Sequence, residues 1–155
     1  DEGGDPGLVG PCVGLCEPLQ DLQVHWKERV DSLRKIVLLA KLEPDAVLES
    51  IGEVVGATVV QTGDLRSAVV REACLVIEEL ARMSALPDDE VLVLMKSCLS
   101  LVMKTVKVMA VAGDRAGRAI ASSQKAEVLA QLLHDTVFNA THPQQREKAL
   151  LYLTE

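Results

Sequence analysis

The chain has 155 residues, 48 % hydrophobic and 25 % charged, which is the composition of one globular domain and not of a disordered segment. Aromatic residues make up only 2 %, which argues against β-sandwiches, β-barrels and proteins that stack nucleobases on aromatic rings. Sixteen basic and 23 acidic residues give a net charge of −7, so an overall basic surface for nucleic acid is absent. A local basic edge is still compatible with this charge.

Residues 1–20 are rich in Gly and Pro, and they predict a linker or a loosely docked arm with a short helical turn near Val13–Leu19. The segment lacks the basic and apolar regions of a secretory signal. Because the chain does not begin with Met, we expect a piece of a longer protein. Its apolar runs are far shorter than the roughly twenty residues of a membrane span, so no membrane insertion is expected.

From Asp21 onward, apolar residues recur with the 3.6-residue period of helices, and no alternating strand pattern persists. Asp64 has the side chain of a helix N-cap, and Thr141 with Gln144 has the pattern of a capping box. The sequence thus predicts seven consecutive helices, which begin near Trp26, Pro44, Asp64, Asp88, Val108, Glu127 and Thr141.

An arginine followed four residues later by an apolar residue recurs along these helices, at Arg29, Arg71, Arg115 and Arg146. The separations are 42, 44 and 31 residues. The first two match the period of about 40–47 residues of HEAT or armadillo units, which stack into an α-solenoid. A single helical bundle is the alternative.

The four cysteines give no sign of a catalytic or metal site. Cys74 and Cys98 lie in apolar stripes and are expected to be buried. Cys12 and Cys16 are spaced to clip a turn or to supply half of a zinc site, but no second Cys or His pair has ligand spacing. Motifs of metalloproteases, serine hydrolases and P-loop proteins are absent. We therefore expect no metal, no cofactor and no enzymatic activity, and a reducing compartment.

Two stretches resemble the TOG domains of the cytoplasmic linker-associated protein (CLASP) family. Residues 25–36 resemble the opening W-x-x-R-V-x-x-L-x-x-I, and residues 64–74 are similar to the signature D-L-R-S-x-V-V-R-E-A-C. Lys107–Ala110 and Arg146–Leu153 resemble the third-repeat corner and the fourth-repeat inner helix. The resemblance implies an all-α, HEAT-repeat solenoid of TOG type over residues 21–155. It has room for about four of six repeats, so we expect it to be incomplete at the C-terminus.

The resemblance also implies a function. In TOG domains, the turns within the repeats form one edge that binds αβ-tubulin, and the proteins regulate microtubule dynamics in the cytoplasm, the cytoskeleton and the mitotic spindle. Because tubulin is acidic, basic residues on this edge would steer association and a tryptophan would anchor it. The residues that match the tubulin-binding positions of the family are Trp26, Arg66, Ser67, Lys107, Gln145 and Arg146.

Other roles compete with these assignments. Trp26 is also a candidate for the core, Asp64 for a helix cap, and Arg71 for a structural pair with an acidic residue of an adjacent repeat. A HEAT scaffold for a different protein partner is the alternative function. We expect a monomer, with self-association at the C-terminal face if repeats are missing there.

Overall fold

A computed structural model describes residues 11–154 of the chain, and the regular structure within this range is helical. A short 3₁₀ helix, Glu17–Leu19, separates the first two α-helices. None of the described helices is long and apolar enough to cross a membrane. The α-helices are α1 (Pro11–Cys16), α2 (Trp26–Leu42), α3 (Pro44–Glu49), α4 (Ile51–Thr62), α5 (Ser67–Ala81), α6 (Asp88–Leu101), α7 (Lys107–Ser123), α8 (Ala126–Asn139) and α9 (Pro143–Leu153).

The helices form two layers. Helices α2, α5, α7 and α9 pack side by side in one layer, and α4, α6 and α8 pack in the other. Short turns join α4 to α5, α6 to α7 and α8 to α9, and each of these pairs is in contact, so its members run antiparallel. This stack of helix pairs is an all-α, HEAT-like solenoid, which confirms the predicted fold class.

Ion pairs between the helices of the first layer fix their relative direction. Arg34 and Lys41 of α2 pair with Glu72 and Glu79 of α5, at 3.2 and 3.8 Å. The partner of the later residue in α2 is also the later residue in α5, so α2 and α5 run parallel. On the other side of α5, Glu78 pairs with Arg115 of α7 at 3.3 Å, and Gln124, at the C-terminal end of α7, donates to the Ala81 carbonyl at the end of α5, so these two helices are also parallel. The N-termini of these helices consequently lie at the same edge of the solenoid.

The predicted structural role of Arg71 is not the one observed. Arg71 is exposed and forms no salt bridge with any residue of the described range 11–154. The carboxylates of α5 are paired instead by cations of α2 and α7, because Arg71 lies on the solvent face of its helix. Ion pairs between neighbouring helices therefore exist, but residues other than Arg71 form them.

Three other local predictions differ from the structure. The segment predicted as one helix from Pro44 is two helices, since Ser50 has the non-helical dihedrals φ −122° and ψ 32°. Asp64 is not the N-cap of α5: the cap is Arg66, and the Asp64 side chain accepts its backbone N–H. The predicted capping box is also wrong, because His142 precedes α9 without a side-chain capping bond.

The second half of the predicted arm packs as part of the core. Cys12, Cys16 and Leu19 are fully buried, and α1 contacts α2, α3 and α4. The prediction of a loose arm rested on the Gly and Pro content of this segment. The segment is nevertheless amphipathic, because these three apolar side chains share one face. Residues 1–10 of the predicted arm lie outside the described residues. The four cysteines are buried free thiols, as expected for Cys74 and Cys98.

Candidate functional site

The candidate site is the edge at which the helices of the first layer begin. Its turns comprise residues 20–25, 63–66, 102–106 and 140–142, and each leads into α2, α5, α7 or α9. We call these turns and the first turn of each following helix the turn edge. Every residue predicted to bind tubulin lies on it, although four separate regions of the sequence contribute. Stacking of the helix pairs is what brings them to one side of the molecule.

Trp26 is the first residue of α2 and is half-buried, with part of its ring packed against the core. His25 caps the helix through Nδ1, which accepts the Lys27 backbone N–H at 3.2 Å. The His25 ring stacks on the indole at 6.1 Å, and Lys27 Nζ lies 5.7 Å from the ring centroid, within cation–π range. Trp26 therefore supports the core and also presents part of its ring at the edge.

The second turn projects two side chains into solvent. Asp64 Oδ1 accepts the backbone N–H of Arg66 at 2.7 Å, which fixes the turn before α5. The Arg66 side chain remains 55 % exposed, at 3.9 Å from the same carboxylate oxygen. Between them, Leu65 is 93 % exposed, and Ser67 is half-buried as the first residue of α5. An apolar side chain this exposed contributes almost nothing to folding.

A buried polar network lies beneath the first two turns. Arg29 is 1 % exposed; its Nε donates to the Val24 carbonyl at 2.7 Å, and its Nη1 donates to Gln61 and to Asp64. Gln61 Nε2 donates in turn to the carbonyls of Leu19 and Asp21, each at 3.1 Å. The network thus joins the turn before α2 to the turn before α5, and it sets the relative position of Trp26 and Leu65.

This network also determines the ionisation of Asp64. Burial alone would raise the pKa of the carboxyl group, but hydrogen bonds from the Arg66 backbone and from Arg29 outweigh it and hold the pKa below its ordinary value. Asp64 is therefore a buried anion matched to Arg29.

The third turn is basic and apolar. Lys107 begins α7 and is exposed, as are Lys104, Val106 and Val108. A cation at a helix N-terminus opposes the helix dipole, so Lys107 does not serve the stability of its own helix.

The two residues predicted at the fourth turn, Gln145 and Arg146, have different roles. Gln145 Nε2 donates to the Leu99 carbonyl at 3.0 Å, which ties α9 to the end of α6. Arg146 Nε donates to the Val137 carbonyl at 3.1 Å, while the side chain stays exposed. Gln145 is thus directed inward, and Arg146 is the member of the pair that solvent reaches.

Residues that the sequence did not single out complete the surface. Leu65, Lys104 and Val106 are exposed on the turn edge, and no sequence pattern assigned them a role. Leu65 was detectable, because it lies inside the D-L-R-S signature next to Arg66. The described edge carries exposed acidic residues as well, Asp21 and Glu28. Its exposed cations outnumber them, on a chain whose net charge is −7; these cations are Lys27, Arg66, Lys104, Lys107 and Arg146.

Comparison with known proteins agrees with the resemblance in the sequence. No protein-family model matches the chain. Over 108 residues, however, it is 32 % identical to CLIP-associating protein 1 of Xenopus tropicalis and to CLIP-associating protein 1-A of Xenopus laevis, which covers 67 % of the chain. The chain is related to these proteins. CLIP-associating protein 1-B of Xenopus laevis is also 32 % identical, over 101 residues and 63 % of the chain. The match spans 7 % of the length of each relative.

Proposed function

We propose that the chain is a microtubule-associated module that binds αβ-tubulin through the turn edge, and that it acts as a binding domain and not as an enzyme. The observation that carries this proposal is the concentration of exposed cations and of the exposed Leu65 on one edge of an acidic protein. The relation to the CLIP-associating proteins and the TOG-like signatures support tubulin as the partner.

The edge residues divide into anchors and steering charges in this proposal. Leu65 and the outer part of Trp26 supply apolar area at the first two turns, where the Arg29 network holds the backbone rigid. A rigid anchor loses little conformational entropy on binding. Arg66, Lys107 and Arg146 face an acidic partner and accelerate its association. Gln145 supports the fourth turn through its hydrogen bond to the Leu99 carbonyl, and Ser67, half-buried beside Arg66, remains a proposed tubulin contact.

The relation to the CLIP-associating proteins also supports a cellular location. We propose that the parent protein acts on microtubules in the cytoplasm, including those of the mitotic spindle. The name of the relatives also records association with CLIP, and we propose that a parent protein of this chain shares that association. Within the described residues no group of three or more metal-ligating side chains occurs, and the proposal involves no metal or cofactor.

Co-elution with αβ-tubulin on size exclusion tests the proposal. Leu65→Asp removes the most exposed anchor and places a negative charge against an acidic partner, so we expect co-elution to be lost. Leu42→Asp is the matched control, because Leu42 is 70 % exposed at the C-terminal end of α2, on the opposite edge. This variant should co-elute as the parent does. Both substitutions are at solvent-exposed sites, so thermal unfolding should be nearly unchanged.

The alternative, a scaffold for another protein, predicts a different result. A parent chain that folds but does not co-elute with tubulin at any concentration contradicts the tubulin assignment. Equal co-elution of the parent and of both variants would contradict the turn edge as the contact surface.

A further inference from the structure

A groove lies between α5 and α7, on the outer face of the first layer. Its volume is about 440 Å³, within the range of ligand-binding clefts. The floor consists of apolar side chains from both helices, and several are open to solvent: Leu75 is 38 % and Val111 50 % exposed. The other floor residues are Cys74, Val108 and Ala112.

Cys74 contributes to this floor as an apolar group. It is 1 % exposed, and burial raises the pKa of its thiol to about 12, so the thiol is protonated at neutral pH. Together with Ala112, it leaves a depression between the two helices, because both side chains are small. The larger Leu75 and Val111 line the same floor on either side of this depression.

The ends of the groove differ in charge. At one end, Arg71 and Lys107 are exposed, and neither forms a salt bridge with a residue of the described range. At the other end, Arg115 pairs with Glu78 at 3.3 Å, so these two charges compensate each other. The acidic residue next to Arg71, Glu72, is paired with Arg34. Among the described residues, the groove therefore has two positive charges without a salt-bridge partner at one end and none at the other.

We propose that this groove binds an acidic, amphipathic helical segment of a protein partner. Apolar side chains of the segment would fill the depression between Leu75 and Val111, and carboxylates about one helical turn away would pair with Arg71 and Lys107. Charge selects the occupant: on a chain of net charge −7, unpaired cations beside an apolar floor favour acidic partners and disfavour basic ones. The surface is distinct from the turn edge, which it meets only at Lys107 and Val108.

Selection of a displayed random-peptide library on the intact chain, in a low-salt buffer, tests this inference. Enriched peptides should combine acidic residues with bulky apolar residues spaced three or four apart. The best peptide is then labelled, and its affinity is measured by fluorescence polarisation. Val111→Asp and Arg71→Glu should each weaken binding about tenfold or more, since each removes one of the two recognition features.

Two matched variants on the other layer serve as controls. Val93 is 40 % exposed on α6, and Lys96 is exposed on the same helix. Val93→Asp and Lys96→Glu should leave the affinity unchanged. Neither Val111 nor Arg71 belongs to the turn edge, so the groove variants should still co-elute with tubulin.

Several results would overturn the inference. Enrichment of basic peptides, or of none, excludes an acidic segment as the occupant. Equal affinity of the parent and of the folded Val111→Asp variant excludes the groove. Binding to phosphatidylserine-containing vesicles that is lost in Arg71→Glu, without any enriched peptide, would assign the surface to a membrane and not to a protein.

Discussion

Arg29 and Asp64 are the residues on which the geometry of the turn edge depends most. Both are buried, and they form an ion pair that joins α2 to the turn before α5. Gln61 extends the network to the turn before α2. A buried charge is tolerated only when it is paired and hydrogen-bonded, and here each partner satisfies the other.

Removal of one partner should therefore be costly. We predict that Arg29→Met destabilises the chain by about 3–5 kcal/mol, because it leaves the Asp64 carboxylate buried without its cation. Urea denaturation followed by circular dichroism measures the effect. The double variant Arg29→Met/Asp64→Asn should recover part of the lost stability, since the unpaired charge is then absent. A loss below about 1 kcal/mol for Arg29→Met, the level of a surface pair, would contradict the network.

The lowered pKa of Asp64 predicts a pH dependence of stability. A carboxyl whose folded pKa lies below its unfolded value of about 3.8 stabilises the fold above that value. This contribution is lost as the pH falls from the unfolded pKa through the folded pKa. Asp64→Asn should show a smaller decrease in unfolding free energy between about pH 6 and about pH 3 than the parent. Asp45→Asn, at an exposed carboxyl of α3, is the control and should keep the parent's decrease.

Close packing of α7 against its neighbours depends on two glycines. A Cβ atom at Gly113 would lie 2.4 Å from Leu101 Cβ, and one at Gly117 would lie 2.8 Å from the Tyr152 ring. Tyr152 is in turn held by a hydrogen bond of 2.8 Å to Asp114. The small residues of α7 therefore let α6 and α9 approach closely.

We predict opposite effects for two Gly→Ala substitutions within helices. Gly113→Ala should destabilise the chain by about 1–3 kcal/mol, because α6 and α7 must separate to accommodate the methyl group. Gly56→Ala should stabilise it by about 0.5–1 kcal/mol, since Gly56 is exposed in α4 and nothing lies within 4 Å of the position that the added methyl group would take. Thermal unfolding of both variants measures this difference, and equal effects would contradict the packing of α7.

At the scale of whole elements, the sequence predicted helices well and their ends less well. Periodicity identified the helices that begin near Trp26, Asp88 and Val108, because their apolar stripes are long. It missed the break at Ser50, where apolar residues continue on both sides, and the burial of α1, which is too short for a periodic signal. The edge residues were predicted from motif resemblance. Gln145 shows the limit of this resemblance, since its inward hydrogen bond to Leu99 depends on a neighbour that only the stacked fold brings near.

For the whole molecule, the distribution of charge matters more than its sum. The chain is acidic overall, yet the described turn edge carries an excess of exposed cations. At physiological salt, the repulsion between the acidic remainder of the chain and another acidic molecule is screened at long range. Short-range attraction to the cations of the turn edge persists. Under the proposed function, this excess of cations would direct an acidic partner to the turn edge.

Exposed leucines near the C-terminal end predict self-association. Leu150 and Leu153 of α9 are both exposed. We predict that sedimentation velocity detects concentration-dependent association of the parent chain, and that Leu150→Lys reduces it by removing apolar area and adding charge. Leu38→Lys, at an exposed leucine of α2, is the control and should associate as the parent does. A parent chain that remains monomeric at high concentration would contradict this prediction.

The affinity of paired charge-reversal variants for αβ-tubulin tests the central claim most directly. Arg66→Glu/Lys107→Glu changes two turns of the edge, and Arg82→Glu/Lys125→Glu makes the same charge change at exposed residues of the opposite edge. We predict that the first variant binds tubulin about tenfold more weakly or worse, while the second binds like the parent. Equal weakening of both variants, or unchanged binding of the folded first variant, would contradict a tubulin-binding turn edge.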